Sequence, residues 1–139
     1  MQIRSMMQGF RLTRFSWYWV ATLCYCLVIF GLSAIPKTVS IPSLYGVDKV
    51  LHVIEYGILG FLIALSLTGV RPETSNRFLV ILILVLATLY GISDEIHQSF
   101  VPGRSASVWD VLADSLGGLL GAFFYIRIVR TARIEELGD

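Results

Sequence analysis

The chain has 139 residues, of which 55% are hydrophobic and 15% are charged, and its formal net charge is +1. Soluble domains carry about a quarter charged residues, so a soluble domain of this composition would have to expose its excess apolar surface to water. These figures exclude disordered chains, coiled coils, collagen and disulfide-stapled secreted modules, and they indicate an all-α protein with several membrane-spanning helices.

The first predicted span covers residues 15–35 and follows a basic segment over residues 1–14. It contains no charge, and it reaches the length of about 20 apolar residues that crosses the hydrocarbon core. The apolar region of a cleavable signal peptide is shorter, at about 7–15 residues, so we expect this span to be retained. The basic segment has apolar residues at helical spacing, and it either lies on the inner leaflet as an amphipathic helix or frays.

Three further spans are predicted over residues 50–70, 78–98 and 108–128. Each is almost entirely apolar except towards its ends, and acidic residues collect at one end of each. Gly-Val-Arg-Pro and Val-Pro-Gly sequences mark turns between them. We therefore predict a four-transmembrane-helix bundle over residues 15–130, followed by a tail over residues 131–139.

The basic residues predict the orientation of the bundle, because Lys and Arg are enriched in short cytoplasmic loops. Eight of the eleven lie in the N-terminal segment, in the loop between the second and third spans, or towards the C-terminus. The opposite side holds Lys37, Lys49 and Arg104. Both termini are therefore expected to be cytoplasmic, in a multi-pass protein of the plasma membrane.

On this topology, polar residues from three spans collect at the extracytoplasmic end of the bundle. Asp48, His52 and Glu55, for example, are spaced i, i+4, i+7 and share one helix face. Ionisable residues at membrane depth are costly and usually face the bundle interior. We therefore predict a single ligand-binding pocket. Its candidate residues are Asp48, His52, Glu55, Asp94, Glu95, His97, Gln98, Arg104, Asp110 and Asp114.

Structural roles compete with this interpretation. Asp48 suits the N-cap of the second helix, and Asp110 lies at capping-box spacing from a serine. Asp94 and Glu95 lie near a helix C-terminus, where the helix dipole disfavours negative charge by about 0.3–1 kcal/mol. They therefore need a partner, which Arg104 can supply. A purely structural salt-bridge network would also satisfy that need.

The acidic face of the fourth span is also its small-residue face. The spacing of Asp110, Asp114, Gly117 and Gly121 places all four on one face of the helix. Small residues four apart let a neighbouring helix approach closely. The neighbour is either another helix of this chain or a second copy, so oligomerisation through Gly117 and Gly121 is one use of this face.

Three segments of the chain have a recognisable pattern. They read DKxxHxxxYxxLG from Asp48, DExHQxFxPGR from Asp94 and DxxxDxxGxxxG from Asp110. Together with Ser33 at the end of the first span, they resemble the VanZ-like family over about residues 33–125. The order of the segments and their placement on four spans make the resemblance specific.

The resemblance implies a small bacterial inner-membrane protein. The namesake of the family lowers sensitivity to teicoplanin, a glycopeptide with a lipid tail, and no reaction is assigned to the family as a whole. One departure is Asp114, where family members usually have Asn, and the extra carboxylate adds charge repulsion or a ligand. The matching family positions are Asp48, Lys49, His52, Asp94, Glu95, Gln98, Arg104 and Asp110.

The sequence is compatible with two classes of function. A binding protein would hold a membrane lipid or a lipid-linked envelope molecule, with Arg104 on a phosphate or carboxylate and the acyl part along the second and fourth helices. A membrane-surface enzyme would instead use the carboxylates and histidines to hold a divalent metal, or as acid and base, for hydrolysis. The sequence has no HExxH motif and no nucleophile elbow, so the hypothesis of a binding protein is favoured over that of an enzyme. No cofactor other than that metal and no nucleic-acid partner is expected.

Overall fold

A computed structural model of the chain describes residues 2–36 and 46–132, with side chains from Trp17 onward. Lys37, the side chains of the N-terminal arginines and the tail from residue 133 lie outside the described residues. Within them the fold is entirely helical, which confirms the predicted class. The helices are α1 (Gln2–Ser33), α2 (Val47–Val70), α3 (Asn76–Gln98) and α4 (Val108–Phe124), which continues as a π-helix over Tyr125–Arg130.

Three helices are long and apolar enough to cross a membrane. They are Val47–Val70, Asn76–Gln98 and Val108–Arg130, and they contain the predicted spans 50–70, 78–98 and 108–128. Their outward surfaces carry exposed aliphatic and aromatic side chains. Such surfaces suit lipid rather than water, so the chain is a membrane protein.

The first predicted span lies in α1. The apolar part whose side chains the structure describes covers Trp17–Ser33. The helix α1 to which it belongs begins at Gln2, so it continues through residues 14 and 15 without a break. The basic N-terminal segment and the apolar helix are therefore one helical element.

Helices α2 and α4 pack with their backbones almost in contact. A Cβ atom added at Gly60 would lie 2.5 Å from the carbonyl oxygen of Gly118, and one added at Gly117 would lie 2.5 Å from the carbonyl oxygen of Val53. Gly121 faces the carbonyl oxygen of Gly57 in the same way. The small-residue face of α4 is thus filled by α2 of the same chain. A contact between two chains through Gly117 and Gly121 would require α2 to move away.

Polar side chains from all four helices meet at one end of the bundle. Ser33 in the last turn of α1 donates a hydrogen bond to Asp94 near the end of α3. Lys49 in the first turn of α2 contacts Asp110 in the first turn of α4. A short loop joins α3 to α4 at this same end. Successive helices therefore run antiparallel, and we call this end, with its four helix termini, the polar end.

Candidate functional site

A small cavity lies at the polar end between α1, α2 and α3. Its volume is about 140 Å³. Five of the ten sequence-predicted residues line it, together with Ser33 and three apolar side chains. The polar lining residues are Ser33, Asp48, His52, Glu55, Asp94 and Arg104.

Asp94 is a buried acid of this cavity with two side-chain donors. It is buried, and it accepts hydrogen bonds from Ser33 Oγ and, at 2.8 Å, from Gln98 Nε2. The other end of the same amide, Gln98 Oε1, accepts from Arg104 Nη1 at 3.1 Å. Ser33, Asp94, Gln98 and Arg104 thus form a continuous hydrogen-bonded chain, and Gln98 separates the arginine from the carboxylate.

Two further N–H groups of Arg104 bind the chain at the end of α1. Its Nη2 donates to the carbonyl oxygen of Leu32 at 2.9 Å, and its Nε donates to that of Ile35 at 3.0 Å. The carbonyls of a last helical turn have no partner within the helix, and Arg104 thus binds one in the last turn of α1 and one just beyond it. The expected direct pairing of Arg104 with Asp94 or Glu95 is therefore wrong. The guanidinium reaches Asp94 only through Gln98.

Glu95 caps the beginning of α4. Its Oε2 accepts a hydrogen bond of 2.6 Å from the backbone N–H of Ser107, the N-cap residue of that helix. The Ser107 side chain makes no capping bond, so the capping-box explanation of Asp110 is wrong. Asp110 pairs instead with Lys49.

Asp48 is not an N-cap either. The N-cap of α2 is Gly46, and Asp48 lies in the first turn of the helix. Its Oδ2 is 3.5 Å from Lys49 Nζ, which also contacts Asp110 Oδ1. Lys49 therefore lies between a carboxylate of α2 and one of α4.

His52 and Asp114 form a second buried pair between the same two helices. Their Nδ1 and Oδ1 atoms are 2.8 Å apart, and Asp114 is 0% exposed. Gly91 of α3 makes room for this carboxylate, because a Cβ atom there would lie 2.6 Å from Asp114 Oδ2. The oxygen Oδ2 has no hydrogen-bond partner in the described part of the chain.

His97 is the predicted residue that the structure sets apart from the others. Its ring stacks on Phe30 of α1, with centroids 4.1 Å apart and an angle of 27° between the planes. It does not line the cavity. The two histidines therefore have different surroundings, although both lie towards the polar end.

Three residues that the sequence reasoning did not place in the pocket belong to its structure. Ser33 and Lys49 hold Asp94 and Asp110, and the pattern shared with the VanZ-like family contains both. Tyr56, in the same pattern, is 0% exposed, and its hydroxyl has no partner among the described residues. The pattern shared with the VanZ-like family is therefore a feature of the sequence that could have identified all three residues.

A groove between α2 and α4 begins beside this polar cluster. Its volume is about 890 Å³. The lining changes from charged to apolar along the helices: Asp48 and Lys49 come first, followed by side chains such as Val53, Leu112 and Leu116. A separate apolar depression of about 580 Å³ lies further along the same two helices, between Ile54 and Phe124.

The chain matches a known family of proteins. The family model described as VanZ/LLP1 matches residues 3–130. No curated protein and no solved structure shows significant similarity to the chain. The match covers all four helices, including the polar end and both carboxylate pairs described above. By this match over nearly its whole length, the chain belongs to the VanZ/LLP1 family.

Proposed function

We propose that this protein binds a membrane amphiphile, with the head group at the polar end and an acyl chain in the groove between α2 and α4. One observation carries the proposal: the groove is charged where it starts, at Asp48 and Lys49, and apolar beyond them. An amphiphile has the same division between a polar head and an apolar chain. Ligand sites of this kind combine apolar walls with a few placed polar groups.

The head group would meet Lys49 and Asp48 first. Both side chains are 40% exposed, whereas the acids behind them are buried. Lys49 lines the groove, whereas Arg104 lines the small cavity beside it. Lys49 is therefore the better candidate to contact a phosphate or carboxylate, and Asp48 can accept from a hydroxyl or amine.

The acyl chain would follow the apolar part of the groove. From Asp48 to Phe61, which lines the second depression, α2 rises by about 20 Å. One leaflet of the hydrocarbon core is about 15 Å deep. The groove and the apolar depression together therefore extend over the length that one lipid chain needs within its own leaflet.

The amphiphile we propose is a lipid-linked or lipidated molecule of the bacterial cell envelope, reached from the extracytoplasmic face of the inner membrane. Teicoplanin is a suitable probe, because its lipid tail would occupy the groove while its polar body stays at the membrane surface. A glycopeptide without a lipid tail is the matched control ligand. Expression of the protein in a susceptible host would test whether binding lowers sensitivity.

The test is native mass spectrometry of the protein in mild detergent, titrated with phosphatidylglycerol and, separately, with teicoplanin. Leu116→Trp would fill the groove, so we expect it to weaken binding of both probes about tenfold, the cost of roughly 1.4 kcal/mol. Leu89→Trp is the matched control, because Leu89 is an equally exposed leucine on α3, away from the groove.

Equal binding by wild type and Leu116→Trp would overturn the proposal. So would an equal loss in both tryptophan variants, since that would indicate lipid adhering to the whole apolar surface. Retention of the glycopeptide without a lipid tail would show that the groove is not the recognition element.

A further inference from the structure

We propose that Asp48, His52 and Asp110 bind a divalent cation at the polar end. One ligand atom from each of the three residues lies within 4.8 Å of the others. Two carboxylates and one imidazole suit a cation that accepts mixed oxygen and nitrogen ligands, such as Mn²⁺ or Zn²⁺. Three protein ligands would leave coordination positions for water or a phosphate oxygen. This inference goes beyond amphiphile binding and does not depend on it.

The orientation of His52 fits a metal ligand. Its Nδ1 and Asp114 Oδ1 are hydrogen-bonded at 2.8 Å, and an ionised Asp114 can only accept, so that Nδ1–H is the donor. Histidines that bind metal usually donate their second N–H to a carboxylate in this way, which fixes the tautomer. Nε2 is then the nitrogen that keeps its lone pair for a cation. Asp114 is a positioning residue in this arrangement.

The polar end is acidic in the part of the chain that the structure describes. Six carboxylates lie there, together with two permanent cations, Lys49 and Arg104. Four of these acids are at most 5% exposed. Buried carboxylates are costly unless they are paired, so a further positive charge at this end would stabilise them. The four are Asp94, Glu95, Asp110 and Asp114.

A second observation points to a missing partner. Glu95 is 4% exposed, and its Oε1 has no hydrogen-bond partner among the described residues. Glu95 Oε2 accepts from the backbone N–H of Ser107, three residues before Asp110, and Glu95 interacts electrostatically with both His52 and Asp110. A buried acceptor without a partner costs about 1–3 kcal/mol. A water bound to the cation would donate to this oxygen and remove that cost.

The ammonium group of Lys49 already brings a positive charge to the proposed metal ligands. Its ammonium contacts Asp110 and lies 3.5 Å from Asp48, so it is held by two of the three proposed ligands. A divalent cation would displace it, and the long, half-exposed side chain can swing towards the membrane surface. Lys49 thus competes with the metal, and removal of its charge is expected to strengthen metal binding several-fold.

The experiment titrates the purified full-length protein in detergent with Mn²⁺, followed by electron paramagnetic resonance. We expect one Mn²⁺ per chain, with a nitrogen coupling from one imidazole in the pulsed spectrum. His52→Gln should lose the coupling and the tight binding. His97→Gln is the matched control, because its ring packs on Phe30 and it should retain both.

Two more variants separate a metal site from general acidity. Asp114→Asn should lower the affinity about 10- to 100-fold, as is usual for the outer partner of a metal-binding histidine. Lys49→Gln should raise the affinity. A purely electrostatic attraction to the acidic end would also gain from Lys49→Gln, but it would show no nitrogen coupling.

Absence of nitrogen coupling in wild-type protein, or an equal loss of affinity in His52→Gln and His97→Gln, would overturn the metal site. Absence of Mn²⁺ binding at millimolar concentration would overturn it as well, unless Zn²⁺ binds stoichiometrically in the same titration and is lost with His52→Gln. Leu116→Trp distinguishes this proposal from amphiphile binding, because it should block the groove and leave Mn²⁺ binding intact.

Discussion

Arg104 shows how a single side chain can hold two helix ends together. Its hydrogen bonds to the carbonyl oxygens of Leu32 and Ile35 hold the end of α1 and the residues just after it, and its bond to Gln98 holds the end of α3. We expect Arg104→Ala to lower the free energy of unfolding by about 1–2 kcal/mol, a figure kept low because two of these bonds are exposed to solvent. Thermal unfolding in detergent, followed by circular dichroism, would measure the change.

Arg104→Lys separates the fork geometry from the charge. A lysine keeps the positive charge but cannot direct three donors to three acceptors in the plane of a guanidinium. It should therefore recover less than half of the lost stability. Full stability in Arg104→Lys would mean that charge alone is sufficient and that the individual carbonyl bonds contribute little.

The kinds of residue at the polar end were predictable from the sequence, but their partners were not. Helical spacing was enough to show that Asp48 and His52 share a face. It could not show that Asp110 faces Lys49 or that Asp114 faces His52. Which side chains pair across two helices depends on the distance between the helices and on the rotation of each about its axis. Contacts elsewhere along the helices determine both.

For α2 and α4 those contacts are between glycines. A Cβ atom at residue 60 would meet backbone atoms of Gly118 at 2.5 and 2.9 Å, and backbone cannot rotate away as a side chain can. Gly60→Ala should therefore push the helices apart. The expected destabilisation is about 1–3 kcal/mol, as for other overpacked interiors. It should also weaken the His52–Asp114 pair, since that pair spans the same two helices.

Gly31→Ala is the control for this prediction. A Cβ atom at Gly31 meets nothing within 4 Å, so the change adds only helix propensity. Its unfolding in detergent should match or exceed that of wild type, while Gly60→Ala unfolds at lower temperature. If both variants were equally stable, the close approach of α2 and α4 would not be a determinant of the fold.

The extent of the helices was only partly predictable. Apolar runs located α2, α3 and α4 to within a few residues, because a span and the helix that forms it nearly coincide. The helix α1 is longer than its apolar run, since helical structure continues through the basic segment to Gln2. The π-helix after Phe124 has no counterpart in hydrophobic periodicity, which reports the buried face and not the hydrogen-bond register.

The number of spans and the side on which each terminus lies are linked. Termini on the same side of the membrane require an even number of spans, so the predicted cytoplasmic termini require α1 to cross. The uncharged part of α1 within the predicted span, residues 15–33, rises by about 28 Å, close to the hydrocarbon core of about 30 Å. The packing also favours crossing. Tyr18 lies against Gly69 at one end of α2, and Ser33 reaches the polar end beside its other end, so α1 follows nearly the whole of α2.

We therefore expect green fluorescent protein to be fluorescent when fused to either terminus, and alkaline phosphatase to be active when inserted in the α3–α4 loop after Gly103. The physical reason is the distribution of Lys and Arg, which puts the polar end outside and the Arg71–Arg77 loop inside.

A fluorescent C-terminal fusion with a dark N-terminal fusion would mean that α1 does not cross and that three spans carry the bundle. A dark C-terminal fusion with an inactive phosphatase would place the polar end in the cytoplasm. The proposed cation and amphiphile would then reach their sites from the inner leaflet.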